Sequence, residues 1–200
     1  MPILGITGGI ATGKSSFAGL LARQMTAKLF DADQCSRNLL DGDPGVRELV
    51  RQAFGDGIFT PEGAVDRVAL RGIVFASEEK RLSLERILHP AIRAQWLDMA
   101  ARERVSGNWL AVDIPLLFET GAEQFFDHVI VVACGASTQM RRLAEIRNLK
   151  PDIAEKIIAS QIDLNVKISK ANYLIWNEGS LPALGNQASL LADFLKQLHG

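Results

Sequence analysis

Near the start of the chain, Gly8-Gly-Ile-Ala-Thr-Gly13-Lys14-Ser15 satisfies the spacing G-x-x-x-x-G-K-[ST]. Glycine allows positive φ and lets a backbone approach phosphate oxygens without a Cβ, while the N–H groups opening a helix present positive potential to an anion. Gly9, Ile10, Ala11, Thr12, Gly13 and Ser16 are therefore expected to wrap an ATP tail, with Lys14 bridging its β- and γ-phosphates. The Ser15 hydroxyl suits Mg²⁺, which prefers octahedral oxygen ligands. A chain of this composition carries the pattern by chance about 0.5% of the time. GTP-reading signatures are missing: the sequence holds neither Asn-Lys-x-Asp nor Asp-x-x-Gly.

A second group of residues could act on an acceptor. Asp31 and Asp33 flank Ala32 close behind the glycine-rich turn, and phosphoryl transfer to an alcohol needs a base for the hydroxyl proton. Asp33 is the candidate base. Asp31 could orient it or hold a metal-bound water, and either carboxylate also suits a helix N-cap. Asp113, closing the run Trp109–Asp113, could likewise hold Mg²⁺ through water. Arg142 and Arg147 offer planar forks for charge developing on a transferring phosphoryl group, whereas Arg141 suits a surface pair with Glu145. Arg67 sits at an expected helix start, where the helix dipole disfavours a cation and an anionic partner is expected. His89 precedes Pro90, which predicts extended geometry there and a new helix beginning at the proline. Asn177, beyond the last apolar run, suits either an adenine contact or a turn. The three histidines and two cysteines have no metal-ligand spacing.

Five short apolar runs are expected to position these residues as strands: Ile3–Thr7, Trp109–Asp113, Val129–Cys134, Tyr173–Trp176 and, more weakly, Lys28–Phe30. Helix-like stretches follow at Ser15–Met25, Ser137–Arg147 and Leu184–Leu198. Alternation of this kind specifies a parallel sheet covered on both faces. Residues from about 34 to 107 read as a helical insertion broken at Asp41-Gly-Asp-Pro, Gly55-Asp-Gly and His89-Pro90, and residues from about 137 to 170 as a polar helical flap.

With 200 residues, 48% apolar and 22% charged, the chain is expected to fold as one globular domain. A net charge of -1 gives no basic field for nucleic acid or a membrane surface. The two separated cysteines fit a reducing compartment, and no apolar run approaches membrane-spanning length, so a cytoplasmic protein is expected.

Taken in order along the chain, these features resemble the dephospho-coenzyme A kinase family. Beyond the opening motif and the Asp pair, the resemblance rests on Phe54-Gly55, Val65-Asp-Arg67, Ile87-Leu-His89-Pro90, Asp113-Ile-Pro115-Leu116-Leu-Phe-Glu119, Arg142-Leu with Arg147, Gln161, and Asn172 through Asn177-Glu-Gly179. It implies a nucleoside-monophosphate-kinase type of P-loop fold with a five-stranded parallel core, a helical acceptor-binding insertion and a lid. The implied reaction is transfer of the ATP γ-phosphate to the ribose 3′-hydroxyl of dephospho-CoA. Asp33 matches the presumed base, Arg142 and Arg147 the lid, and Asp31, Arg67, His89, Pro115, Leu116 and Glu119 the acceptor side. The chain departs from the family at Ala11-Thr12, usually Gly-Ser, at Ser16, usually Thr, and at Asn172, usually Asp. A positive φ at Ala11 would be strained.

Overall fold

The computed structural model describes residues 1–147 and 150–199; the side chains of Ile146 and Arg147 are outside that description. The chain divides into two compact units: residues 1–31 with 100–200, and residues 32–99.

In the first unit, strands β1 (Ile3–Gly8), β2 (Lys28–Asp31), β3 (Leu110–Asp113), β4 (His128–Ala133) and β5 (Tyr173–Trp176) form one sheet in the order β2-β3-β1-β4-β5. Every pairing is parallel. This is the five-stranded parallel core that the resemblance implies. Position in the sheet explains the strength of each sequence signal: β1 and β3 are buried along their whole length, as strands covered on both faces must be, whereas β2 and β5 lie at the edges and expose Lys28, Leu29, Leu174 and Trp176. Lys28 on β2 is held by the buried Glu103, 2.7 Å away.

One apolar layer packs α1 (Lys14–Met25) and the C-terminal helix (Leu181–His199) on the sheet, through Phe17, Leu21 and Met25 with Leu184, Ala188, Leu191 and Leu195 over Leu4, Ile6, Ile130 and Val132. Between β4 and β5 the described residues form three helices, Ala136–Arg147, Pro151–Ala159 and Leu164–Ser169.

The second unit is helical. It contains α2 (Ala32–Gly42), α3 (Pro44–Phe54), a 3₁₀ turn at Asp56–Ile58, α4 (Arg67–Ala76) and most of α5 (Glu78–Ser106). The expected breaks at Asp43-Pro44 and Gly55 occur, with the Asp43 carboxylate accepting from the Val46 N–H at 2.9 Å and Gly55 at φ 81°. The break expected at His89-Pro90 does not: α5 runs through Pro90 without interruption. Pro90 is exposed, so the carbonyl that loses its amide partner can turn to water, and the surrounding Ala, Leu and Arg residues favour helix strongly enough to carry the chain across. The chain instead breaks at Ser77, whose hydroxyl accepts from the Lys80 N–H at 3.3 Å ahead of Glu78 and Glu79. The remaining helices are α6 (Ala136–Arg147), α7 (Pro151–Ala159), α8 (Leu164–Ser169) and α9 (Leu181–His199).

Candidate active site

The central strand β1 delivers Gly8 into a loop that ends where α1 begins. Thr12, fully buried, folds its hydroxyl back onto the Gly9 carbonyl at 2.9 Å and closes the loop on itself. Gly13 then turns the chain at φ 88°, and a Cβ there would lie 2.2 Å from the Asn177 amide nitrogen; only glycine satisfies both demands. Among the described residues no side chain caps α1, and its first turn holds no acidic residue, so the helix start keeps its positive potential for an external anion. Ser15 and Ser16 are exposed on that turn.

Other elements brace the loop. Asn177, just past β5, donates its amide to the Thr12 carbonyl at 2.8 Å and takes its own register from the Ala133 carbonyl at 2.7 Å. Arg142 on α6 donates to the carbonyls of Ala11 and Thr12, both at 3.2 Å, and of Asn177 at 2.9 Å. Ile10 is held twice: Gln139 donates to its carbonyl at 2.8 Å, and its N–H donates to Gln161 at 3.0 Å. Glu178 accepts from the Gly135 N–H and from the Thr138 hydroxyl, 2.6 Å away. The Thr138 hydroxyl, followed by the Gly135 amide, holds its carboxyl below the usual range.

The acids stand at strand ends. Asp113 is buried and forms an ion pair with Lys14, so the cation of the glycine-rich loop already faces a carboxylate. Asp31 is the register partner of Asp113 on the neighbouring strand, so two carboxylates end adjacent strands at the same level. Hydroxyl and carboxylate oxygens are donors that suit a hard divalent cation. Among the described residues no three His, Cys, Asp or Glu cluster into a ready metal site.

A family model described as dephospho-CoA kinase matches residues 2–183. The chain belongs to the dephospho-CoA kinase family. Curated relatives named dephospho-CoA kinase include one from Symbiobacterium thermophilum, 42% identical over 183 residues that span 90% of this chain and 76% of the relative. Another, from Anaeromyxobacter dehalogenans, is 40% identical and spans 96% and 92%. The solved dephospho-CoA kinase from Campylobacter jejuni superposes with a TM-score of 0.73 at 27% identity, covering 99% of this chain and 98% of that one. A shikimate kinase from Acinetobacter baumannii, at 16% identity and TM-score 0.52, shares the fold. Membership makes this chain an ATP-dependent kinase.

Within the first unit, this kinase brings together Gly9 through Ser15, Asp113, Arg142 and Asn177. Pro115 and Leu116 follow β3; the Pro115 carbonyl accepts from Thr7 at 3.1 Å and that of Leu116 from Thr120 at 2.8 Å. Glu119 is 2.7 Å from Lys167. Arg147 ends α6, and its side chain is among those not described. Asp33, Arg67 and His89 belong to the second unit. Asp33 is exposed in the first turn of α2, two residues beyond the end of β2. Arg67 opens α4 and finds its anionic partner in Asp41 on α2. His89 lies inside α5 rather than at an extended junction, and burial pushes its imidazole below the ordinary value. The Arg141–Glu145 surface pair forms at 3.0 Å.

Both informative departures from the family pattern have structural readings. Ala11 adopts φ 58°, the strained case. Asn172 accepts from the Val129 N–H at 2.7 Å through its side-chain oxygen and donates its own N–H to the Val129 carbonyl at 2.9 Å, pinning the start of β5 to β4. An aspartate could make the same side-chain contact. Sequence reasoning missed Gln139, Glu178 and Lys167. Nothing marks Gln139; Glu178 sits in the quoted Asn177-Glu-Gly segment, where its partner 40 residues earlier is invisible; Lys167 reads as one more helical surface lysine.

Proposed function

We propose that this kinase transfers the γ-phosphoryl group of ATP to the ribose 3′-hydroxyl of dephospho-CoA, giving coenzyme A and ADP. The observation that carries the reading is the uncapped start of α1 with Lys14 beside it and Asp113 and Asp31 ending adjacent strands. Loop amides and Lys14 bind the phosphates. Lys14 turns from Asp113 to the β- and γ-oxygens as nucleotide enters, and releases the Asp113 carboxylate. The Ser15 hydroxyl would hold Mg²⁺ directly and Asp113 through water; when bound, the ion neutralises phosphate charge. Asp33 accepts the 3′-hydroxyl proton, with Asp31 supporting it. Arg142 keeps the loop in register and sets positive charge beside the transferring group, and Arg147 adds charge from the lid. Arg67 and His89 in the second unit are proposed for the acceptor, as are Pro115, Leu116 and Glu119 in the first.

The substrates are small molecules, and the two free cysteines, Cys35 and Cys134, support a reducing compartment, the cytoplasm. No helix among the described residues is long and apolar enough to cross a membrane. The test is Asp33→Asn. A general base acts mainly in the transition state, so turnover falls by about 10²–10⁴-fold while ATP affinity stays within about twofold. Undiminished turnover removes Asp33 from the mechanism.

A further inference from the structure

Lys167 is fully buried, although lysines on short helices ordinarily run their stems along the surface and keep the ammonium in water. Here α8 turns it inward, and three acceptors surround it: Glu119 Oε1 at 2.7 Å, the Pro115 carbonyl at 3.2 Å and the Gly8 carbonyl at 3.4 Å. The ammonium has three protons, so the set is complete. Glu119 Oε1 also accepts from the Ile162 N–H at 3.2 Å, and its Oε2 is buried without a hydrogen bond among the described residues. A buried cation and anion are retained at a high desolvation cost, and each would be stranded without the other.

The location of the third acceptor matters most. Gly8 ends β1, and its carbonyl belongs to the same peptide plane as the Gly9 N–H, the first amide of the phosphate-binding loop. In a planar trans peptide the C=O and N–H point in opposite directions, so fixing the Gly8 carbonyl fixes the Gly9 amide on the other side. The chain is closely packed at this joint: a Cβ on Gly8 would lie 2.3 Å from the Val132 carbonyl. We propose that Lys167, with Glu119 as its counter-charge, is a positioning residue for phosphate binding: it holds the Gly8–Gly9 peptide, through which β1 enters the loop, and so sets the direction in which the phosphate-binding loop leaves the sheet. The effect on catalysis rests on the kinase reading; the effect on nucleotide affinity does not.

The experiment compares Mg·ADP binding by calorimetry in the wild type, Lys167→Met/Glu119→Gln and Glu119→Gln, with ¹⁵N NMR of the Gly9 amide. The double variant removes both charges, leaves neither stranded and is expected to melt cooperatively while binding ADP about tenfold more weakly or worse, the scale of a lost charged hydrogen bond. Glu119→Gln keeps the shape of the site, and is expected to bind at least about threefold more weakly with a displaced Gly9 resonance. A purely structural lysine would lower the melting temperature and leave both readouts unchanged. A folded double variant binding ADP within twofold of wild type overturns the proposal. If the double variant does not fold, a Glu119→Gln protein with wild-type affinity and Gly9 shift overturns it equally. Failure of the wild type to phosphorylate dephospho-CoA, with ADP binding intact, counts against the kinase reading alone.

Discussion

Gly13→Ala places a methyl group where both backbone and neighbours reject it. The native φ of 88° lies in the left-handed region, which costs an L-residue about 1–2 kcal/mol. The added Cβ would also sit 2.2 Å from the Asn177 amide nitrogen, which must withdraw from the Thr12 carbonyl it now reaches at 2.8 Å. Losing that buried hydrogen bond costs about 1 kcal/mol more, because Arg142 still supplies a donor to the same carbonyl. The sum is about 2–3 kcal/mol, and at about 2–4 °C per kcal/mol for a chain of this size the melting temperature should fall by about 4–12 °C. Because the displaced groups line the phosphate loop, Mg·ATP affinity should drop as well. Gly57→Ala is the control, since Gly57 has open space around it and lies outside the left-handed region; it should change stability by less than about 0.5 kcal/mol. Calorimetric melts and ATP titrations of both variants decide the matter. A Gly13→Ala protein that melts and binds like the wild type would refute the reasoning.

Ala11→Gly should do the opposite: relief of a strained φ of 58°, partly offset by the added freedom of the unfolded chain, raises stability by about 0.5–1 kcal/mol, and a lower melting temperature would contradict the strain. Asn172→Asp should be nearly neutral because the side-chain acceptor for Val129 is kept, whereas Asn172→Ala should cost about 1–2 kcal/mol in denaturant unfolding; equal losses would argue against that role. Burial depresses the pKa of His89, and burial followed by the nearby His199 depresses that of His128. The unfolded chain therefore binds more protons just below pH 6.5, so this contribution to stability is complete above about pH 6.5 and is lost as pH falls through the lower folded values. The melting temperature should fall less between pH 7 and pH 5 in a His89→Asn/His128→Asn variant than in the wild type; identical slopes would contradict the assignment.

How much was legible follows burial and sequence distance. Strands β1, β3 and β4 announce themselves because parallel strands covered on both faces must be apolar almost throughout, while β2 is faint because an edge strand can carry Lys28 and an exposed Leu29. The glycine-rich loop is legible because its geometry is local: Gly13 must be glycine, and Lys14 must follow. Arg142 was singled out for its charge, yet its three carbonyl partners lie 35 to 131 residues away, and no local pattern encodes such a contact. Lys167 is the sharper case, since α8 around it has the composition of a surface helix and only the fold turns it inward. The helix through Pro90 shows a local rule overridden: a proline without its amide is tolerated where the orphaned carbonyl can reach water.

The most direct test of the central claim is mass-spectrometric and ³¹P NMR analysis of dephospho-CoA incubated with this protein and Mg·ATP. A single added phosphoryl group on the ribose 3′-oxygen, formed in step with ADP and lost in Lys14→Met, is the predicted result. ADP formation that leaves dephospho-CoA unmodified, or a phosphoryl group attached elsewhere on it, would contradict the account.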